Sequence, residues 1–334
     1  MDLSIIVPVY NVEAYIRPCI ESILKQGLDE NRYEVIIVND GTEDRSMEMI
    51  ADIIDQHTNI TVINQENQGL SIARNNGMER ATGEYIMFLD SDDLFIDNSI
   101  PYLLNKAISS KTDLVVADFI GMNDNEIATF DIAHFHQGNG TFQEKTGKDL
   151  LSQPLYSGFS CVWHTLYKRD FLKKNNLYFI PHIYFEDTPF TYQCYAKANQ
   201  CLRVDWTFII YRNGNRSITT CLYNQKKVLD YCVVIAKIWE LSQDKSLSYP
   251  INQKLQNDAY SFFSGLLFML SKYTTITHGE KLEVLRHLQA IAPDLSFQNG
   301  IKQRLVSFLF HNALPVFMIL SSIYFKHLYN TTKK

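Results

Sequence analysis

The sequence predicts an α/β protein with a mainly parallel central sheet, followed by a helical C-terminal region. Three observations carry this expectation. Short Val- and Ile-rich runs alternate with amphipathic stretches over the first hundred residues, and parallel strands need helical crossovers of that kind. Beyond about residue 222 the strand pattern gives way to long stretches with one apolar face. The 334-residue chain is 46% hydrophobic and 20% charged, enough to bury a sizeable core.

Taken in order, "LSIIVPVY" reads as the first strand, and "VEAYIRPCIESILKQ" sets Ile16, Ile20, Ile23 and Leu24 on one helical stripe. "YEVIIVND", "ITVINQ" and "EYIMFLD" read as further strands, with "DRSMEMIADIIDQH" and "SIARNNGMERA" as helices between them. In such a sheet ligands bind beyond the carboxyl ends of the strands. There stand Pro8, Tyr10 and Asn11, then Asn39, Asp40 and Gly41, then Asp90, Asp92 and Asp93. After residue 110, "DLVVADF" is a strand, "FHQGNGTF" a turn, and "GKDLLSQPLY" and "YKRDFLKKNN" short helices, an arrangement expected to form a mixed subdomain over the sheet. "KKVLDYCVVIAKIWELSQ" and "AYSFFSGLLFMLSKY" predict packed helices.

Composition narrows the function. Thirty-one basic and thirty-seven acidic residues leave a net charge of −6 without a dense basic face, which argues against nucleic acid as a partner. Six cysteines without a C-x-x-C pair, and an N-terminus without a charged leader, predict free thiols and a cytoplasmic setting. Residues 306–325 are long enough to span a bilayer, but His311, Asn312 and Pro315 disfavour it. They predict either a helix pair broken before Pro315, or an interfacial helix that Lys326, Lys333 and Lys334 would anchor peripherally on the inner face of the cell membrane. No G-x-G-x-x-G follows the first strand and no G-x-x-x-x-G-K-[ST] occurs, so the usual glycine-rich phosphate cradles are missing.

The stretch "YIMFLDSDDLF" ends a buried-type run in three mutually repelling carboxylates. Hard carboxylate oxygens suit Mn²⁺ or Mg²⁺, and an ion held by one or two of them fills its shell with water and phosphate oxygens. A metal with a diphosphate would neutralise Asp90 and Asp92. A lone D-x-D is also an ordinary turn or helix cap, so its neighbours must decide.

Those neighbours, "SIIVPVYNVEAYIRPCIESILKQ", "YEVIIVNDGTEDRS", "NQGLSIARNNGMERATGEYIMFLDSDD" and "YFEDTPF", occur in this order over roughly residues 3–220. Together they resemble a family 2 glycosyltransferase of the GT-A fold, of the bacterial surface-polysaccharide type. The resemblance implies a transferase domain over 1–220, with a nucleotide-sugar half at 1–105 and an acceptor half at 106–220, and a helical region at 221–334. It implies inverting transfer from a nucleotide sugar, most often a UDP-sugar, to a glycan or lipid-linked acceptor. By the same resemblance Pro8, Tyr10, Glu13 and Asp40 meet base and ribose, Arg74 lies near the pocket floor or phosphates, Asp90 meets ribose or metal, and Asp92 the metal. Asp187 is the implied catalytic base, with Glu186 beside it on the acceptor side.

Residue chemistry agrees without being specific. Asp40 can accept from a base N–H or cap an Asx turn, Arg74 can pair with phosphate or coat a helix, and Asp187 can take a proton or cap the helix that "TPFTYQCYA" suggests. "YRNGNRSIT" resembles the segment that closes over the diphosphate, offering Arg212, Arg216 and Ser217, though its Asn-Gly and Gly-Asn pairs equally mark a turn. "VWHTLYKRDF" departs from the family pattern at His164 and Thr165 while keeping Trp163, which would line the acceptor side or pack in the core. A nucleotidyltransferase would want a glycine-rich basic loop after the first strand, and a processive synthase a Q-x-x-R-W motif; both are missing. The alternative from another class is a non-catalytic nucleotide-sugar-binding or scaffolding protein of the same fold.

Overall fold

A computed structural model describes residues 1–135, 137–153, 160–213, 224–272 and 276–332. The strands are β1 Leu3–Val9, β2 Tyr33–Asp40, β3 Ile60–Gln65, β4 Tyr85–Phe88, β5 Leu94–Phe95, β6 Leu114–Met122, β7 Phe142–Lys145, β8 Thr165–Lys168 and β9 Cys201–Arg212. The helices among them are α1 Ile16–Leu24, α2 Ala51–Gln56, α3 Leu70–Arg80, α4 Ile100–Ser110, α5 Asp124–Thr129, α6 Gly147–Leu151, α7 Arg169–Lys174 and α8 Asp187–Lys197. The C-terminal helices are α9 Gln225–Leu241, α10 Tyr249–Lys272, α11 His278–Ile291, α12 Gly300–Asn312 and α13 Leu314–Thr332.

Each expected strand of the first hundred residues forms, because each has an apolar run at its centre. The sheet runs β3-β2-β1-β4-β8-β6-β9-β5, with β7 also on β9. Strands β1 to β4 pair in parallel, and β6 pairs β9 in parallel. Strand β8 is antiparallel to β4 and β6, as β5 and β7 are to β9. The chain after residue 110 therefore extends the same sheet instead of lying over it. Its strands β6, β8 and β9 are apolar enough to be buried in the sheet centre.

This topology fixes where a ligand belongs. Successive connections carry the chain from β1 outward to β2 and β3; α3 then returns it to the other flank of β1, where β4 pairs. The strand order reverses between β1 and β4, and the crevice beyond their carboxyl ends is the favoured site in open α/β sheets. Close helix packing there depends on Gly77 of α3, where an added Cβ would run into the Ile6 side chain of β1.

Two helices are shorter than their periodicity predicts, for one reason. Backbone N–H groups of residues 11–13 bond to the side chains of Thr42, Ser46 and Asp44, so α1 starts only at Ile16. Asp44 accepts from the backbone and hydroxyl of Ser46 and from the Thr42 hydroxyl, which leaves only a 3₁₀ turn at Glu48–Ile50 before α2. Local side-chain bonds outcompete the helix ladder here.

Packing divides the chain into two units, Met1–Leu150 with Cys161–His182 and Gln193–Arg216, and Leu151–Ser160 with Ile183–Tyr192 and Ser217–Lys334. The first holds the sheet and a core built on Ile5, Val7, Ile20, Val35, Met87 and Phe95. The second contains the C-terminal helices around Phe263, whose ring meets Phe297, Phe310 and Phe317 at centroid distances of 5.3, 5.2 and 6.0 Å. Residues 306–325 are not one helix: α12 ends at Asn312 and α13 begins at Leu314, ahead of Pro315. Among the described residues no helix is long and apolar enough to cross a membrane.

Candidate active site

The carboxylate turn is built before it is charged. Strand β4 delivers Asp90 to the rim, where the Asp93 N–H bonds back to the Asp90 carbonyl at 3.0 Å. Strand β5 then leaves the turn by pairing antiparallel with β9 at Leu94 and Ile210. Arg212, the last residue of β9, closes the loop: its N–H donates to Asp93 Oδ1 at 2.7 Å and its Nε to the Asp92 carbonyl at 2.7 Å. The Arg212 guanidinium also pairs with Asp124 and lies 4.9 Å over the Tyr15 ring. The arginine expected at the donor phosphates is thus a buried clamp on the acidic turn.

Arg74 performs the matching task from below. It is 1% exposed and donates to Asp90 Oδ1 at 2.7 Å, with its guanidinium 5.3 Å from the Phe179 ring centroid. The buried guanidinium needs this partner, because without Asp90 it would be an uncompensated buried charge. Arg74 reaches the rim from the second turn of α3, so it forms part of the floor.

The two arginines do not balance the cluster. Burial, and then the charge on Asp90, push the Asp92 carboxyl up to about 6. Burial, with Asp90 and Asp92 adding to it, pushes Asp93 well above the usual carboxylate range. Asp93 Oδ2 is buried without a hydrogen-bond partner among the described residues. The donor set of Asp90 and Asp92 fits a hard divalent cation that takes one or two carboxylates and completes its shell with phosphate and water. Among the described residues no group of three or more His, Cys, Asp or Glu could hold a metal.

The remaining expected donor contacts divide. Tyr10 stands at the end of β1, 45% exposed and available to a planar ligand, next to buried Pro8. Glu13 accepts from the Arg45 N–H at 3.1 Å, fastening the loop after β1 to the loop after β2. Asp40 is 3% exposed and accepts from Gln65 Nε2 and the N–H groups of Gln68 and Gly69 at 2.7, 2.8 and 2.9 Å. Three of a carboxylate's roughly four acceptor positions are therefore taken. Asp40 ties the end of β2 to the start of α3, where Gly69 has φ +88°. Trp163 is 3% exposed, stacked on Tyr211 at 5.5 Å and edge-on to Phe119 at 4.6 Å, a core role. His164 is buried, and burial followed by the Arg203 charge lowers it to about 4, so it is neutral.

Asp187 is the first residue of α8, where the helix dipole favours negative charge; Glu186 before it is 7% exposed. The loop that presents them is held by α9. Asp230 Oδ2 accepts the Tyr184 N–H at 3.0 Å and pairs with Lys226 Nζ at 2.6 Å. The rings of Phe185 and Tyr231 meet edge-on at 5.2 Å. Phe185 itself has φ +63°, a left-handed conformation costing on the order of 1–3 kcal/mol that persists only where its surroundings enforce it. Ser217 and Arg216 lie outside the described residues.

Sequence reading missed Asp124, Tyr15, Tyr211 and Asp230. Only Asp230 left a sequence signal, an acidic residue inside the otherwise apolar face of "VLDYCVV".

A parallel-centred sheet with an acidic turn at its switch point, braced by two buried arginines, defines a glycosyltransferase of the GT-A fold. Residues 4–175 match the family described as glycosyl transferase family 2, and the chain belongs to that family. It is 35% identical over 223 residues to the uncharacterized glycosyltransferase EpsJ of Bacillus subtilis, covering 66% of this chain and 64% of that one. Against EpsH of the same organism the identity is 30% over 313 residues, covering 90% and 86%. S. aureus TarS 1–349, solved in complex with UDP, superposes with a TM-score of 0.73 at 21% identity over 99% of this chain and 92% of that one. The same TarS fragment has also been solved with UDP-GlcNAc.

Proposed function

We propose that this enzyme transfers a sugar, with inversion, from a UDP-sugar to a glycan or lipid-linked acceptor during assembly of a bacterial surface polysaccharide. The observation that carries the reading is the acidic turn at the β1/β4 switch point, where Asp90, Asp92 and Asp93 crowd together and are held by Arg74 and Arg212. The UDP and UDP-GlcNAc complexes of TarS support the donor class.

In this reading residues 1–105 bind the donor and 106–220 serve the acceptor. Tyr10 and Pro8 flank the base, and Asp40 and Glu13 hold the loops that shape its pocket, Asp40 with one acceptor position left for the nucleotide. Asp90 and Asp92 would hold Mn²⁺ or Mg²⁺, which when bound supplies positive charge against the diphosphate leaving group. Arg74 holds Asp90 in place; Arg212 keeps the turn in register, and Ser217 would donate to a phosphate oxygen. Asp187 accepts the proton of the acceptor hydroxyl as its oxygen attacks the anomeric carbon from the face opposite the diphosphate, and inversion follows. Glu186 positions the acceptor or its neighbour Asp187, and Trp163 supports that side from the core. The C-terminal region would keep the enzyme peripheral on the inner membrane face, near a lipid-linked acceptor.

The test is calorimetric titration of UDP, and of GDP as control, with and without Mn²⁺. Wild type should bind UDP in a metal-dependent manner, Asp92→Ala should lose that dependence, and Asp187→Asn should bind UDP normally yet lose transfer by roughly a hundredfold to ten-thousandfold. Failure of folded wild type to bind either nucleotide would favour a non-catalytic scaffold. An active Asp187→Asn enzyme would remove Asp187 from the role of base.

A further inference from the structure

The hairpin of α12 and α13 has two apolar faces where one would suffice. Its inner face, with Phe310, Leu314, Phe317 and Met318, is buried. On the outer face Ile301, Leu305 and Phe308 are 88, 55 and 60% exposed, at i, i+4 and i+7 of α12. Val316, Ile319, Leu320, Ile323 and Tyr324 are 46–60% exposed, at i, i+3, i+4, i+7 and i+8 of α13. Both sets are therefore single stripes.

The stripes lie side by side. Lys302 Nζ donates to the Tyr324 hydroxyl at 2.9 Å and sits 4.7 Å over its ring. Those two residues stand about equally far in sequence on either side of the break at Ala313, so α13 folds back along α12. Eight large apolar side chains are thus exposed on the two helices of one hairpin. Soluble surfaces rarely leave such a patch open unless something covers it.

Charge identifies the cover. All thirty-seven acidic residues of the chain precede residue 295, whereas five of its thirty-one basic residues follow it. The hairpin segment is cationic in an otherwise acidic protein. Of its basic residues, Lys302 and Arg304 are exposed on α12 itself. A second copy of this chain would bring like charges together on the two hairpins. An anionic bilayer surface would take the apolar stripes among its acyl chains and the basic residues at its headgroups.

We propose that the outer face of the α12/α13 hairpin is a docking surface for anionic lipid, which gives the peripheral contact of the proposed function a specific site and lipid class. The hairpin lies in the interface plane and does not span it; the break at Ala313 and the polar residues His311 and Asn312 suit that depth.

The experiment is co-sedimentation of the full-length protein with phosphatidylcholine vesicles that contain or lack phosphatidylglycerol. The bound fraction should rise on the order of tenfold or more with the anionic lipid, and fall as salt is raised. The triple variant L305E/F308E/I323E should lose vesicle binding while keeping the UDP titration and the thermal transition of wild type. Equal binding to both vesicle types, no binding to either, or a triple variant that binds like wild type would overturn the proposal. So would sedimentation equilibrium showing a wild-type dimer that the same three substitutions dissociate, which would assign the face to a second copy. Vesicle binding with no UDP binding would leave the lipid site standing while the transferase reading fell.

Discussion

Single residues at this site act mostly by holding others. Asp230 is the clearest case: it touches no reacting group, yet its carboxylate takes the Tyr184 N–H beside a Phe185 in left-handed conformation. Replacing it by alanine frees a part-buried N–H and lets that strain relax, moving Glu186 and Asp187. Asp230→Ala should lower kcat by on the order of tenfold to a hundredfold, with the affinity for UDP unchanged. Asp230→Asn, which can still accept the N–H bond, should recover most of the loss in a steady-state assay.

Glu34 shows the same economy for stability. Burial would raise its carboxyl, but the Ser4 hydroxyl and the Thr82 and Gly83 donors outweigh burial and hold it below its ordinary value. A carboxylate depressed in the folded state stabilises above its unfolded value of 4.5, and the contribution fades as pH falls through the folded value. Glu34→Gln should therefore cost about 1–3 kcal/mol at pH 7, measured by urea unfolding, and the gap to wild type should narrow as pH falls below 4.5.

At the scale of elements, the decisive contact is α3 on β1. Helix α3 carries Arg74 beneath Asp90, begins where Asp40 anchors Gly69, and is seated by Gly77 over Ile6. Gly77→Ala places a methyl where Ile6 already stands, so helix propensity gained is outweighed by overpacking. We expect a net loss of about 1–3 kcal/mol in thermal unfolding, with weakened UDP binding because Arg74 and Asp90 move with the helix. The periodicity of "SIARNNGMERA" gives the helix, but nothing in it says that Arg74 points into the protein. That orientation comes from the neighbouring strand, which turns the polar side chain toward a carboxylate 16 residues later.

On the scale of the molecule, the C-terminal helices belong to a core of their own. Removing residues 301–334 strips Phe310 and Phe317 from fully buried Phe263. The truncated protein should lose thermal stability or aggregate on heating, whereas the outer-face triple variant should melt like wild type. Scanning calorimetry of the two variants separates the inner face, which stabilises, from the outer face, which docks.

The sequence by itself determined the first four strands, the existence though not the starts of the helices between them, and the three carboxylates at a strand end. It did so because period-2 and period-3.6 patterns and β-branched runs are local signals. It also carried the family, through four ordered motifs. Tertiary structure alone decided that the strands after residue 110 continue one sheet, that Arg74 and Arg212 brace the acidic turn, and that Asp40 and Trp163 are so largely committed to internal contacts. Those outcomes depend on pairings between residues up to 120 positions apart, and side-chain chemistry names what a residue can bind but not which partner the fold brings within reach.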